Sequence, residues 1–208
     1  TDTITRFNKW KDKNEVKNDK VEIRIACGEG NIKDFIKEGW NCFGNDPDKN
    51  YVDYGKNKLN LPIEYEMAED MSFRRKFDLS IIIGSLEHCF DPNKCLSEIN
   101  RILTLNGTLI IRWRSDKLIG SPLEYFGYNT LKFFNKSTWK YALNKNNFKI
   151  SKLIKKKVEG YDSFEYIVAK KVKKVKKFKI NKSFKNEIIK FKKHYKYYQK
   201  LCLEIEKS

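Results

Sequence analysis

The chain has 208 residues, of which 40% are apolar, and a formal net charge of +17. This length suits one domain with an extension, and the apolar content is enough to bury a core, which excludes wholesale disorder. No apolar run approaches the roughly 18 residues that a membrane span needs, and five cysteines without a C-x-x-C pair argue against a zinc site or disulfide framework and favour a reducing cytoplasm.

The first 90 residues alternate apolar, β-branched runs with polar turns. Residues 77–86 are strongly apolar and predict a strand that is buried on both faces. A short helix over residues 32–38 is closed by Gly39, because glycine is the usual residue at a helix C-cap. The other strands in this half are predicted over residues 21–27, 40–44 and 61–67.

The second half continues the alternation. Asp91 suits an N-cap and Pro92 suits the first helical position, so a helix is predicted over residues 91–103. The later elements are a strand, a helix and an antiparallel strand pair, predicted over residues 105–113, 135–148, 148–160 and 162–172. Strands that alternate with helices imply βαβ units, so we expect an α/β fold with a parallel, doubly wound sheet.

Positive charge is concentrated at the C-terminus, where residues 170–208 hold 15 lysines and three glutamates. We therefore divide the chain into a domain over residues 1–169 and a basic extension over 170–208. From Phe184 to Ile205, apolar residues recur at alternating spacings of four and three, which predicts a basic helix with a heptad seam.

Three kinds of partner suit such a helix. It could pair with a second copy of the chain, lie on an anionic membrane surface, or hold nucleic acid. Nucleic acid is the least favoured of the three, because residues 115–208 contain no arginine for bidentate recognition of bases or phosphates.

A glycine-containing turn, "ACGEG" over residues 26–30, follows the first predicted strand. Gly28 and Gly30 allow a tight turn and a close approach of the backbone to a ligand, and the next helix offers free N–H groups to a negative group. Asp46, at the end of the next strand, can accept both hydroxyls of a ribose. Together these residues indicate a nucleoside-containing ligand; the alternative is a tight turn and a solvated acid.

Four segments of the chain resemble class I S-adenosylmethionine-dependent methyltransferases, the broad group that includes many small-molecule and glycan methyltransferases. They are "IACGEGN", "GNDPDKNYVDYG", "MAEDMSFRRKFDLSIIIGSLEHCFDP" and "LSEINRILTLNGTLIIR", in the family's order. The resemblance implies a Rossmann-like sheet of seven strands with an antiparallel last pair, and S-adenosylmethionine as the cofactor.

The resemblance also implies which residues would bind this cofactor. The amino acid end would be wrapped by Ala26, Cys27, Gly28, Glu29 and Gly30. Asp46 would bind the ribose. The adenine would contact Pro47, Ala68 and Glu69, and the methionine part would lie near Gly84 and Ser85. Leu86, Glu87 and His88 would follow beside the substrate opening.

Three positions depart from the family's pattern, which usually has an acid at Arg24, a glycine at Ala26 and often an aspartate at Met67. An arginine accepts no hydrogen bond and repels the ammonium group of the cofactor, unless it turns outward to pair with an acid such as Glu22. The departures therefore weaken the amino acid end of the predicted site and leave its ribose end intact.

His88 is the candidate catalytic residue. An oxygen or nitrogen acceptor needs a base, and His88 is the single histidine among residues 1–169. The alternative is a structural histidine that caps the next helix or satisfies a backbone carbonyl.

The sequence thus favours a cytoplasmic enzyme that transfers a methyl group from S-adenosylmethionine to an oxygen of a small molecule or glycan. Two alternatives stay open. The departures at Arg24, Ala26 and Met67 favour an inactive methyltransferase fold that serves as a binding or scaffold subunit. The lysine-rich extension favours an RNA methyltransferase.

Overall fold

The computed structural model describes residues 21–25, 31–86, 89, 91–114, 136–158 and 161–175. Strands and helices alternate along these residues. In chain order they are β1 Val21–Ile25, α1 Asn31–Lys37, β2 Asn41–Asp46, α2 Lys49–Leu59, β3 Ile63–Tyr65, β4 Phe77–Ile83, α3 Pro92–Ile102, β5 Leu103–Arg114, α4 Lys136–Lys145, β6 Phe148–Val158 and β7 Tyr161–Lys171.

The strands form one mixed sheet in the order β3-β2-β1-β4-β5-β7-β6. Strand β1 pairs in parallel with both β2 and β4, whereas β7 runs antiparallel to both β5 and β6. The predicted α/β class and the antiparallel last pair are therefore confirmed. The domain boundary predicted after residue 169 falls inside β7, and the predicted basic helix over residues 184–205 lies outside the described residues.

The chain order reverses beside β1. From β1 the chain steps outward through β2 to β3, and it then returns to the other side of β1 to form β4. In open α/β sheets, ligands bind at the carboxyl ends of the strands at such a switch point. The topology therefore directs attention to the ends of β1, β2 and β4.

Apolar clusters cover both faces of the sheet. One face packs Leu79 and Ile81 of β4 against Ile32 and Phe35 of α1. The other face buries Ile82 together with apolar side chains of α3 and α4, which include Cys95, Leu96, Ile99, Trp139 and Leu143. Strand β4 is thus buried on both faces, as its largely apolar sequence predicts.

Polar caps set the helix ends. Asp91 has an extended backbone, and its carboxylate accepts from Asn93 N at 2.9 Å and Lys94 N at 3.2 Å, which confirms it as the N-cap of α3. Gly39 follows α1 with φ at +83°, a left-handed conformation that suits glycine, and the predicted C-cap is confirmed as well.

Helix α2 is absent from the sequence predictions. Its buried residues are Val52 and Gly55 alone, so it lacks the apolar stripe by which an amphipathic helix is usually found. The signal lies in its cap instead, since Asp48 accepts from Asn50 N at 2.8 Å and from Tyr51 N at 3.4 Å.

Candidate functional site

The carboxyl ends of β2, β1 and β4 lie level with one another. Ile25, the last residue of β1, is in register with Asn45 of β2 and with Ile82 of β4. Asp46 and Gly84 therefore come at the same edge of the sheet, just beyond this row. The predicted residues 26–30 continue from Ile25 but lie outside the described residues, as do Glu87 and His88.

Asp46 is a buried carboxylate at this edge. Its residue is 6% exposed, and its Oδ1 accepts a hydrogen bond from Asp48 N at 2.9 Å. Its carbonyl oxygen accepts from Glu66 N at 3.3 Å, which ties the end of β2 to the segment after β3. The carboxylate is thus held in a fixed orientation by the turn that leads into α2, while Pro47 beside it is exposed.

The segment after β3, residues 66–73, lies next to Asp46. We call it the adenine-side loop, after the role predicted for it. Met67 is 37% exposed, whereas Ala68 and Glu69 are buried at 5% and 7% exposure. Glu69 Oε1 accepts from Asp91 N at 3.2 Å, so this side chain joins the loop to the start of α3.

Two residues of α3 anchor the same loop, and sequence reasoning did not identify them. The Arg101 guanidinium donates to Phe73 O at 2.7 Å and to Met71 O at 2.6 Å. Glu98 Oε2 accepts from Met71 N at 3.2 Å and from the Arg101 guanidinium at 2.7 Å. A Glu–Arg pair three residues apart was the visible signal, but that spacing is common on helix surfaces and indicates no particular partner.

The turn after β4 forms the other side of the edge. Gly84 has φ at +60°, a left-handed backbone that favours glycine, and its N–H donates to Arg112 O at 3.0 Å. Ser85 is 6% exposed, and its Oγ donates to Ile83 O at 3.0 Å. The two residues predicted near the methionine part therefore form a tight turn. Gly84 is exposed and has no side chain, so a ligand can approach the backbone there.

The anchor of the adenine-side loop should weaken in acid. Hydrogen bonds from Arg101 lower the pKa of the Glu98 carboxyl below its ordinary value, against an opposing effect of burial. A carboxyl whose folded pKa is lowered adds stability above its unfolded pKa and loses it as pH falls through the folded pKa. We expect wild type to lose more stability than Glu98→Gln between about pH 7 and about pH 3, a range that spans the carboxyl titrations.

Urea unfolding of both chains at the two pH values measures this difference. Asp53→Asn is the control, because Asp53 pairs with Lys49 on the exposed surface of α2, away from the loop. Equal pH sensitivity of wild type and Glu98→Gln would contradict the role given to Glu98.

Two further properties concern the described part of the chain. No group of three or more His, Cys, Asp or Glu residues there is placed to hold a metal ion. Over the same residues, no helix combines the length and the apolar character that crossing a bilayer needs.

Comparison with known proteins identifies the kind of domain. The methyltransferase domain family matches residues 23–111, a range that begins within β1 and ends within β5. No curated protein sequence matches the chain.

Solved structures share the fold. One is an S-adenosylmethionine-dependent methyltransferase from Clostridium acetobutylicum, with 14% identity and a TM-score of 0.66, covering 80% of this chain and 89% of that one. Another is magnesium protoporphyrin IX methyltransferase from Synechocystis with bound S-adenosylmethionine, at 15% identity and a TM-score of 0.62, covering 82% of this chain and 78% of that one. A [4+2]-cyclase, at 13% identity and a TM-score of 0.62, covers 78% of this chain and 79% of that one.

The family match and the fold agree. Residues 23–111 are similar to a methyltransferase domain, and the sheet has the fold of S-adenosylmethionine-dependent methyltransferases. S-adenosylmethionine is the cofactor of this family.

Proposed function

We propose that the protein transfers the methyl group of S-adenosylmethionine to an oxygen atom of a small molecule or glycan. The observation that carries the proposal is the buried carboxylate of Asp46, which Asp48 N holds at the switch-point edge of the methyltransferase-like sheet. The backbone carbonyl of the same residue bonds to the adenine-side loop. A fixed, buried acceptor at this place suits the two hydroxyls of a ribose.

The described residues fit the cofactor as follows. Asp46 holds the ribose, Pro47 and the adenine-side loop with Ala68 and Glu69 surround the adenine, and the Gly84–Ser85 turn approaches the methionine part. The exposed Met67 thioether supplies a polarizable surface against the adenine face. We assign the amino acid end to Ala26, Cys27, Gly28, Glu29 and Gly30 on the sequence alone.

When bound, S-adenosylmethionine would supply a methyl group on a sulfonium, which the acceptor oxygen would take in line as the demethylated thioether leaves. Such a displacement depends largely on positioning, so the chain's main task is to hold the two reactants at one edge of the sheet. We propose that His88 takes the proton from the acceptor hydroxyl, since imidazole titrates near neutral pH.

A methyl-labelled cofactor tests the reaction. The full chain is incubated with labelled S-adenosylmethionine and with separate pools of hydroxyl-bearing small molecules and glycans, and the labelled product and demethylated cofactor are both quantified. We expect both to form together with at least one pool, and His88→Gln to lower the rate. A wild-type chain that binds the cofactor but turns over none of it with any pool would contradict the proposal.

A binding or scaffold role is the second candidate function, and Arg24 is the observation that favours it. Arg24 is the penultimate residue of β1, just before residues 26–30, and is in register with Gly44 of β2 and Ile81 of β4. A cation there opposes the ammonium group of the cofactor. The [4+2]-cyclase among the structural neighbours also supports the view that this fold hosts more than one chemistry.

Arg24→Asp tests the observation on which the scaffold role rests. If Arg24 weakens the ammonium end, the variant should bind S-adenosylmethionine about tenfold more tightly, a change of about 1.4 kcal/mol. Calorimetry measures the affinity, with Arg24→Gln as the control that removes the cation without adding an acid. Affinity unchanged in both variants would show that Arg24 plays no part at the ammonium end.

The basic extension is the remaining part of the proposal. We propose that the heptad seam of residues 184–205 pairs two copies of the chain, and we expect a cytoplasmic location. An anionic membrane surface is the alternative partner for that helix.

A further inference from the structure

The base of the β6–β7 hairpin is an unbroken basic region. Residues 148–154 and 166–175 together hold six lysines and no aspartate or glutamate. They are Lys149, Lys152, Lys170, Lys171, Lys173 and Lys174. Strand β6 is the edge strand of the sheet, so this region faces solvent at the molecule's side.

Two of these lysines have structural roles. Lys171 Nζ donates to Asn100 O at 2.5 Å and to Leu103 O at 2.8 Å, where it satisfies carbonyls at the end of α3. Lys170 Nζ donates to Thr108 Oγ1 at 2.6 Å, and burial lowers the pKa of its ammonium group. Folding therefore accounts for this pair.

The other four lysines have no such role. Lys149, Lys152, Lys173 and Lys174 are all exposed, and no carboxylate among the described residues pairs with them. Lys149 also lies directly opposite Lys170 across the strand pair, an arrangement of like charges that destabilises a sheet. Stability alone gives no reason for this cluster, which we call the hairpin lysines.

A β-bulge brings two hairpin lysines onto one face. The register between β6 and β7 shifts after Ile150, so Lys149 pairs with Lys170 and Lys152 pairs with Val168. Since Val168 and Lys170 share a face of β7, Lys149 and Lys152 also share one, although simple alternation would separate them. The extra residue, Ser151, donates its hydroxyl to Val168 O at 2.9 Å. A bulge that re-aims a lysine is typical of a functional surface.

We propose that the hairpin lysines bind the phosphate backbone of RNA without reading its sequence. Lysine acts as a point charge on phosphate, and contacts to phosphate position a protein on nucleic acid but carry no base information. The lack of arginine over residues 115–208 therefore argues against base recognition and leaves backbone binding intact. The overall charge of +17 adds long-range attraction for a polyanion.

The surface suits RNA better than a membrane. A peripheral membrane surface combines cations with apolar side chains that enter the lipid. Among the residues whose exposure the structure describes, the exposed large apolar side chains are Ile36, Tyr51, Tyr54, Tyr65, Met67 and Leu105, and none of them lies in residues 148–154 or 166–175.

The hairpin lysines also lie away from the cofactor edge. Lys170 is level with Thr108, near the start of β5, whereas Arg112, four residues later on β5, contacts Gly84 at the cofactor edge. RNA bound at the hairpin would therefore leave the cofactor edge open. The proposal is independent of which molecule accepts the methyl group.

A charge-matched pair of variants tests the proposal. The first changes Lys149, Lys152, Lys173 and Lys174 to glutamine. The control changes four other exposed lysines that have no described partner, Lys33, Lys37, Lys58 and Lys140, so both variants lose the same net charge. Fluorescence anisotropy with a labelled single-stranded RNA of mixed sequence is measured on the full chains over a series of salt concentrations.

We expect the hairpin variant to bind RNA about tenfold or more weakly than wild type at moderate salt, and the control to bind like wild type. The plot of log affinity against log salt has a negative slope, and its magnitude should decrease by up to about 3 in the hairpin variant, since each lost contact to single-stranded RNA accounts for about 0.7. Its melting temperature should stay equal or rise, because a like-charge pair is relieved.

Three results would overturn the proposal. The first is an affinity of the hairpin variant for RNA equal to that of wild type, and the second is an equal loss of RNA affinity in the control variant. The third is binding to phosphatidylserine vesicles that depends on the hairpin lysines, while binding to RNA does not. The last result would assign the surface to a membrane.

Discussion

Replacing Asp46 with alanine should weaken the binding of S-adenosylmethionine by about 100-fold or more. The carboxylate would give up two charge-assisted hydrogen bonds to the ribose, each worth roughly 1.5–3 kcal/mol, and 100-fold corresponds to about 2.7 kcal/mol. The variant also removes the acceptor for Asp48 N. Calorimetric titration gives the affinity, and thermal unfolding reports the separate cost to the fold.

Two control variants divide these effects. Asp46→Asn keeps an acceptor oxygen for Asp48 N and removes the charge, so it should lose affinity with little loss of stability. Asp48→Ala removes the N-cap of α2, which should cost about 1 kcal/mol of stability and leave the cofactor affinity unchanged. Equal affinities for wild type and Asp46→Ala would remove Asp46 from the site.

Replacing Arg101 with alanine should destabilise the domain by about 2 kcal/mol and weaken cofactor binding severalfold. Its guanidinium donates to two carbonyls of the adenine-side loop, and hydrogen bonds to charged groups are worth about 1.5–3 kcal/mol each before the partial exposure of the arginine is considered. Without them the adenine-side loop loses two of its bonds to α3, while the bonds of Met71 N to Glu98 and of Asp91 N to Glu69 remain. Urea unfolding and calorimetry measure the two effects.

Arg101→Lys is the informative companion, because lysine keeps the charge but cannot span two carbonyls with a planar fork. It should behave more like alanine than like arginine. Arg74→Ala is the matched control, an exposed arginine of the chain segment just before β4 with no described partner. Full affinity and stability in Arg101→Ala would show that the loop is ordered without Arg101.

The elements that the sequence predicts well are those with a local signal. The apolar run of β4, the Asp91–Pro92 start of α3 and the alternating runs of β6 and β7 each carry their signal within a few residues. Helix α2 escapes prediction because its buried surface is small and two of its apolar residues, Tyr51 and Tyr54, are exposed.

The candidate site likewise has one part that the sequence predicts and another that it does not. The position of Asp46 at the end of β2 follows from the glycine turn and the alternation of strands, so the sequence is sufficient to predict it. The anchoring of the adenine-side loop by Glu98 and Arg101 joins residues about thirty positions apart, and no spacing along the chain reveals it. The bulge at Ser151 is also hidden from the sequence, because the register between β6 and β7 decides whether Lys152 lies on the same face as Lys149.

The most direct test of the account is a calorimetric titration of the full wild-type chain with S-adenosylmethionine and, separately, with its demethylated product. The account predicts binding at one site per chain, together with a rise in melting temperature as ligand is added. A wild-type chain that stays folded, releases no heat of binding and shows no ligand-dependent stabilisation with either compound would contradict it.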